Sequence, residues 1–228
     1  MKRILTLVAA MAMGAAALGQ PYAWNSTTNL GSVIPDNNPS GLGSTMTVNG
    51  LVANIQDVSV TLDITGGYNG DLYAYLAGPN AGFAVLLNRV GEGSGNAGGY
   101  GDAGFNITLD DGAANSGNIH GYQNDSPTYS AGAGSQLLGT WGSDGENLAP
   151  NSPPSMYPVG ATETLGSFDN LNGNGTWTLF LADLAAGDQS TIVSWSLDIT
   201  TTPEPQAWAL GALGVGLLAL RNGLGRRK

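Results

Sequence analysis

The sequence predicts an all-β protein, a two-sheet sandwich, on three observations. Several segments alternate apolar and polar residues at period two, the signature of half-buried strands. The 228 residues include 36 Gly and 11 Pro with no collagen repeat, so the chain turns often. Helical periodicity is absent before a C-terminal apolar tract.

The elements follow in chain order. Lys2 and Arg3 precede an apolar run over 4–18, and the small residues Ala17 and Gly19 flank Leu18 before Gln20. A positive start, an apolar helix of this length and small residues at the cut form a secretory signal peptide over 1–19, cleaved between Gly19 and Gln20. Residues 20–32 form an N-terminal segment, and the sandwich is expected over 33–200.

Within it, Val58, Val60, Leu62 and Ile64 face one way, with Asp57, Ser59, Thr61 and Asp63 opposite. Leu72, Ala74 and Leu76 alternate with Asp71, Tyr73 and Tyr75. Trp177, Leu179 and Leu181 alternate with Thr176, Thr178 and Phe180, and Val193, Trp195, Leu197 and Ile199 with Ser194, Ser196 and Asp198. The denser apolar run 83–88 predicts a strand covered on both faces. Trp177 and Trp195 are core. Residues 91–104 carry seven glycines and are loop. The stretch 112–160 has few long apolar side chains; either it wraps the sandwich with short strands, or a ligand or ion helps to order it. No internal repeat is present, which disfavours propellers and solenoids.

Charge divides the chain. Of seven basic residues only Arg89 lies within 20–202, against 16 acids, a net of −15. No basic footprint for nucleic acid exists there, and the acids suit cations or solubility by self-repulsion. With no Cys, disulfides and thiolate sites are excluded.

Residues 201–228 read Pro203, Glu204, Pro205, then an apolar run over 207–220 that includes Trp208, then Arg221, Arg226, Arg227 and Lys228. In that order these parts resemble the PEP-CTERM sorting signal of Gram-negative bacteria. The resemblance implies an exosortase-type processing enzyme as partner, a C-terminal hydrophobic helix held transiently in the inner membrane, and delivery to the cell surface or extracellular matrix.

A second resemblance rests on the middle. The strings IPDNNPSG from Ile34, STMTV from Ser44, IQDVSVTLDI from Ile55, YNGDL from Tyr68 and LAGP from Leu76 occur in order. GTWTLFLAD from Gly175, AGD from Ala186 and SWSL from Ser194 complete the set. Together they resemble the P domain (P/Homo B) that follows the subtilisin-type catalytic domain of proprotein convertases. The resemblance implies a jelly-roll-like antiparallel β-sandwich, and an association with proteolysis through a neighbouring domain rather than through its own residues.

For chemistry, a Ser-His-Asp relay needs a histidine beside its nucleophile. The single histidine, His120 in NIHGY, has no protease motif around it, so no catalytic residue and no enzyme activity are expected. Calcium takes ~6–8 oxygen ligands, and strand-end loops can gather them: Asp71, Asp110, Asp111, Asp183 and Asp188 are the candidates. Of the loop aromatics Tyr100, Tyr122, Tyr129, Trp141 and Tyr157, Trp141 and Tyr157 are the candidates for stacking on sugar. The expected function is a non-catalytic exported module with a structural or adhesive role. The alternatives are a carbohydrate-binding module of the exopolysaccharide matrix and an accessory domain for a separately encoded subtilisin-like serine endopeptidase.

Overall fold

The computed structural model describes residues 19–112, 117–125 and 136–202, and Gln20–Thr202 forms one compact unit. The signal helix, the sorting residues Pro203, Glu204, Pro205, Arg226 and Arg227, and Tyr129 lie outside the described residues.

The unit is an all-β sandwich. One sheet has the order β1–β10–β4–β7–β8, with the short β2 also on β10; the other has the order β3–β9–β5–β6. The strands are β1 (Gln20–Asn25), β2 (Ser32–Val33), β3 (Asn38–Val48), β4 (Ile55–Gly66), β5 (Leu72–Ala77), β6 (Phe83–Asn88), β7 (Gly104–Leu109), β8 (Leu137–Trp141), β9 (Gly175–Asp183) and β10 (Ser190–Thr201). A single helical turn, α1 (Tyr122–Asp125), sits in the loop half.

Period-two alternation accounts for the core. Val58, Val60, Leu62 and Ile64 of β4 meet Leu72, Ala74 and Leu76 of β5, Trp177, Leu179 and Leu181 of β9, and Trp195, Leu197 and Ile199 of β10 in one cluster. Trp177 and Trp195 are buried in it, and their indoles donate to the Gly173 carbonyl (2.9 Å) and to Ser44 Oγ (2.8 Å). β6 is covered on both faces from Ala84 to Asn88, as its unbroken apolar run predicts.

Three features depart from the sequence reading. Val193, expected on the core face with Trp195, Leu197 and Ile199, is exposed, because a register shift between Ile192 and Ser194 turns Ile192 inward in its place. The sheets are not wholly antiparallel: β8 runs parallel to β7, pairing Phe105 with Leu137 through Leu109 with Trp141. A parallel return needs a long connection, and the number of residues between Leu109 and Leu137 allows one. The chain also enters the sheet at Gln20, opposite Thr201, so the segment 20–32 contributes β1 and the first residue of β2 to the sandwich. Among the described residues no helix is long and apolar enough to cross a membrane.

The loop half covers an edge. β6 has β5 on one side; on the other, the amides of Asp144 and Gly145 donate to the carbonyls of Leu86 and Val85 (3.2 and 2.9 Å), and the Val85 amide donates to the Glu163 carbonyl (2.8 Å). An uncovered edge invites pairing with other chains; here an irregular segment closes it and fixes residues 143–146 against the end of β6.

Candidate functional site

The polar residues buried at that end of β6 form one cluster. Asn88 closes the strand, Arg89 turns the chain at φ 52°, and Glu92 follows, accepting from Arg89 Nη1 at 3.0 Å. From the crossover, Asn118 holds two segments together. Its Oδ1 accepts from the His120 amide (2.8 Å), and its Nδ2 donates to the carbonyls of Ser143 (2.7 Å) and Asp144 (3.1 Å). His120 is thereby set opposite Asp144.

His120 Nε2 lies 3.0 Å from the Glu92 carbonyl oxygen, which can only accept, so this nitrogen carries a proton. The other nitrogen, Nδ1, is 3.1 Å from Asp144 Oδ2 and 3.9 Å from Glu146 Oε2. Asp144 Oδ2 also accepts from the Asn88 amide (2.9 Å), and Glu146 Oε1 accepts from the Val159 amide (3.1 Å). The Tyr157 ring stacks on the imidazole at a centroid distance of 5.7 Å and an interplanar angle of 3°. Its hydroxyl donates to Asn88 Oδ1 at 3.2 Å. Asp144 is fully buried, and Glu92 and Glu146 are each 2% exposed.

The electrostatics follow from burial. Loss of water raises the carboxyls of Asp144, Glu146 and Glu92 above the ordinary range, although His120 opposes this in all three and Arg89 in Glu92. Burial by itself would lower His120, but the hydrogen bond to Asp144 and the charges of Asp144 and Glu146 outweigh it and push the imidazole up to about 9. Both directions have one cause: the pocket holds more negative charge than it can solvate, and it retains protons.

The five predicted calcium ligands do not form one site. Asp71, Asp183 and Asp188 share an end of the sandwich with Asp36, and the charges of Asp36 and Asp188 are felt at both Asp71 and Asp183. Asp183 is fully buried with Oδ2 unpartnered, and burial first, then those neighbours, push its carboxyl up to about 6. Asp110 and Asp111 lie elsewhere, beside Asp57. Asp110 Oδ1 accepts from the Gly112 amide at 2.9 Å. Asp111 accepts from the amide and hydroxyl of Ser143 (both 2.8 Å) and from the Leu165 amide (2.7 Å), a set of bonds that pins the loop half.

The sugar-stacking assignments need correction. Trp141 is 1% exposed, with its indole donating to the Leu138 carbonyl at 3.0 Å, and Tyr157 is 5% exposed against His120. Neither presents a free ring face. Tyr100 and Tyr122 are also buried and meet edge to face at 4.6 Å. These aromatics fasten the loops to the sandwich. Gln20, at the predicted cut, is the first residue of β1.

Among the described residues, three groups of metal-ligating type bring their ligand atoms within 4.8 Å of one another only at His120, Asp144 and Glu146. The sequence reading did not find this trio. Its members are 24 and 2 residues apart in a Gly-rich region, without a motif spacing; the only local sign was an acid pair around Gly145 and a lone histidine.

No family model matches the chain, and no curated protein matches it. Two solved structures similar to it are the serine protease of Aeromonas sobria, with a TM-score of 0.42, and that protease in complex with the chaperone ORF2, with a TM-score of 0.40. Each is 15% identical over 80% of this chain, and the match covers 26% of the other chain. This chain therefore spans about a quarter of their length. The likeness is one of β-rich architecture, and no residue role is taken from it.

Proposed function

We propose that the chain is an exported, non-catalytic β-sandwich module of P-domain type, jelly-roll-like, that serves as an accessory body to a separately encoded subtilisin-like protease. The observation that carries the non-catalytic part is the state of its one histidine. Both ring nitrogens are engaged, with the Glu92 carbonyl and Asp144, and Tyr157 covers a ring face. A general base must reach its nucleophile; this imidazole is spent inside the fold. The accessory part rests on the sequence resemblance, whose motifs supply strands β3, β4, β5, β9 and β10.

A structural or adhesive role at the cell surface or in exopolysaccharide is the second reading. It is favoured by the exosortase-type signal over 201–228 and by an acidic, soluble middle.

Purification of the native protein from its host under mild conditions separates the two. Co-purification of a subtilase, with faster loss of that protease when this chain is deleted, is the expected result. Retention on exopolysaccharide with no protease present would move the assignment to the second reading. Peptide hydrolysis by the pure full chain, abolished by His120→Ala, would overturn the non-catalytic assignment.

A further inference from the structure

We propose that His120, Asp144 and Glu146 form a buried site for one divalent transition-metal cation of the Zn²⁺ class. The inference is independent of the accessory role.

Three observations carry it. The first is the donor set. With Nε2–H fixed on the Glu92 carbonyl, Nδ1 is directed at two carboxylates, and a cation that displaces the proton it shares with Asp144 meets three ligand atoms from His120, Asp144 and Glu146. A metal-ligating histidine whose other N–H is held by a backbone carbonyl is the arrangement that fixes the tautomer for coordination.

The second is the orphaned oxygens. Asp144 Oδ1 and Glu146 Oε2 are buried with no hydrogen-bond partner, on side chains that are 0% and 3% exposed. Buried acceptors left unpaired cost about 1–3 kcal/mol each, more when charged, so their retention in the centre of a loop cluster points to a partner of another kind.

The third is the charge balance. Arg89 pairs with Glu92 at 3.0 Å, and those two charges cancel. Asp144 and Glu146 remain as two buried carboxylates, and one divalent cation matches their combined charge.

The distances suit a small ion. Bonds of about 2.0–2.2 Å in a tetrahedral site place adjacent ligand atoms roughly 3.3–3.5 Å apart. The Nδ1 to Oδ2 separation is 3.1 Å and the Nδ1 to Oε2 separation 3.9 Å, each within about half an ångström of that spacing, and all three ligand atoms lie within 4.8 Å of one another. One nitrogen with carboxylate oxygens favours Zn²⁺ or a neighbouring transition metal over Ca²⁺, which takes oxygen ligands alone.

The chain has one histidine and no cysteine, which makes the test specific. The full chain, stripped with chelator, is titrated with Zn²⁺, Mn²⁺ and Ca²⁺ by calorimetry, and the Zn²⁺ form is read by X-ray absorption. The expected results are one equivalent of Zn²⁺ bound at least ~10-fold more tightly than Ca²⁺, a raised Tm, and imidazole scattering, which only His120 can supply. Glu146→Gln should weaken binding by ~10-fold or more, while Asp183→Asn leaves it unchanged. Absence of saturable Zn²⁺ binding tighter than millimolar in the wild-type chain overturns the proposal. So does a spectrum without imidazole scattering, which requires no variant to fold.

Discussion

Asn118 illustrates how much a single side chain can decide. Its three side-chain hydrogen bonds, to the His120 amide and to the Ser143 and Asp144 carbonyls, reinforce the backbone bonds of Gly117 and Ile119 with Gly142 that join the two loops. Asn118→Ala removes all three side-chain bonds and leaves buried carbonyls without a donor. A loss of about 2–4 kcal/mol is expected, read as a lower urea midpoint. Trp141 is the second case at this scale. Because the ring fills the core beneath the loops, Trp141→Ala should cost about 3–5 kcal/mol by denaturant unfolding, with no change in exopolysaccharide retention by the fraction that stays folded. An exposed stacking platform would give the opposite pair of results. Asp183 is the third. Its carboxyl stands at about 6 in the fold against an ordinary 3.8. Below 3.8 it is protonated in both folded and unfolded chains, and above 6 it is ionised in both. In between, the fold keeps a proton that the unfolded chain has released, so stability falls as pH rises through this window, by up to about 3 kcal/mol. Asp183→Asn should raise the Tm at pH 8 and flatten its dependence between pH 4 and 6.

At the scale of elements, the strands were legible because a strand buried on one face must alternate. Val58 to Ile64 and Trp195 to Ile199 face the core as their spacing requires. The hydrophobic run of β6 was legible for the complementary reason, both faces being covered. The direction of β8 was not. Alternation is the same in parallel and antiparallel strands, so the pairing of β8 with β7 leaves its direction unmarked in the sequence. The start of β7 shows how closely β4 and β7 approach. Gly104 has φ 100°, and a Cβ there would stand 2.1 Å from the Ile64 carbonyl oxygen. Gly104→Ala should separate the two strands. We expect a loss of more than ~2 kcal/mol, with amide exchange accelerated first across the pairing of Thr65 with Gly104 and Ile64 with Phe105.

Over the whole molecule, the acidity visible in the composition has a structural consequence. Burial raises the carboxyls of Asp57, Asp71, Asp169 and Asp198 as well as Asp183. Each follows the same sign: the folded state binds protons that the unfolded state has lost, and stability grows as pH falls through the range where they titrate. The chelated full chain should therefore melt at a higher temperature at pH 5 than at pH 8. Added salt should narrow the difference by screening a middle segment of net −15. A Tm that falls steadily from pH 8 to pH 5 would contradict this.

By itself the sequence determined an all-β sandwich, its central strands and core tryptophans, because alternating burial is a local constraint that each strand writes into its own residues. It also bounded the chemistry, with one histidine, no cysteine and almost no base in the middle. Only the tertiary structure decided which acids meet. Asp71 and Asp183 are brought together by adjacent strands β5 and β9, whereas Asp110 and Asp111 are carried elsewhere by β7. The His120, Asp144 and Glu146 cluster exists because the loop segment 143–146 hydrogen-bonds along the edge of β6 and Asn118 ties the His120 turn to it. Contacts of that kind depend on backbone groups that every residue carries, and so they leave no pattern in the order of side chains.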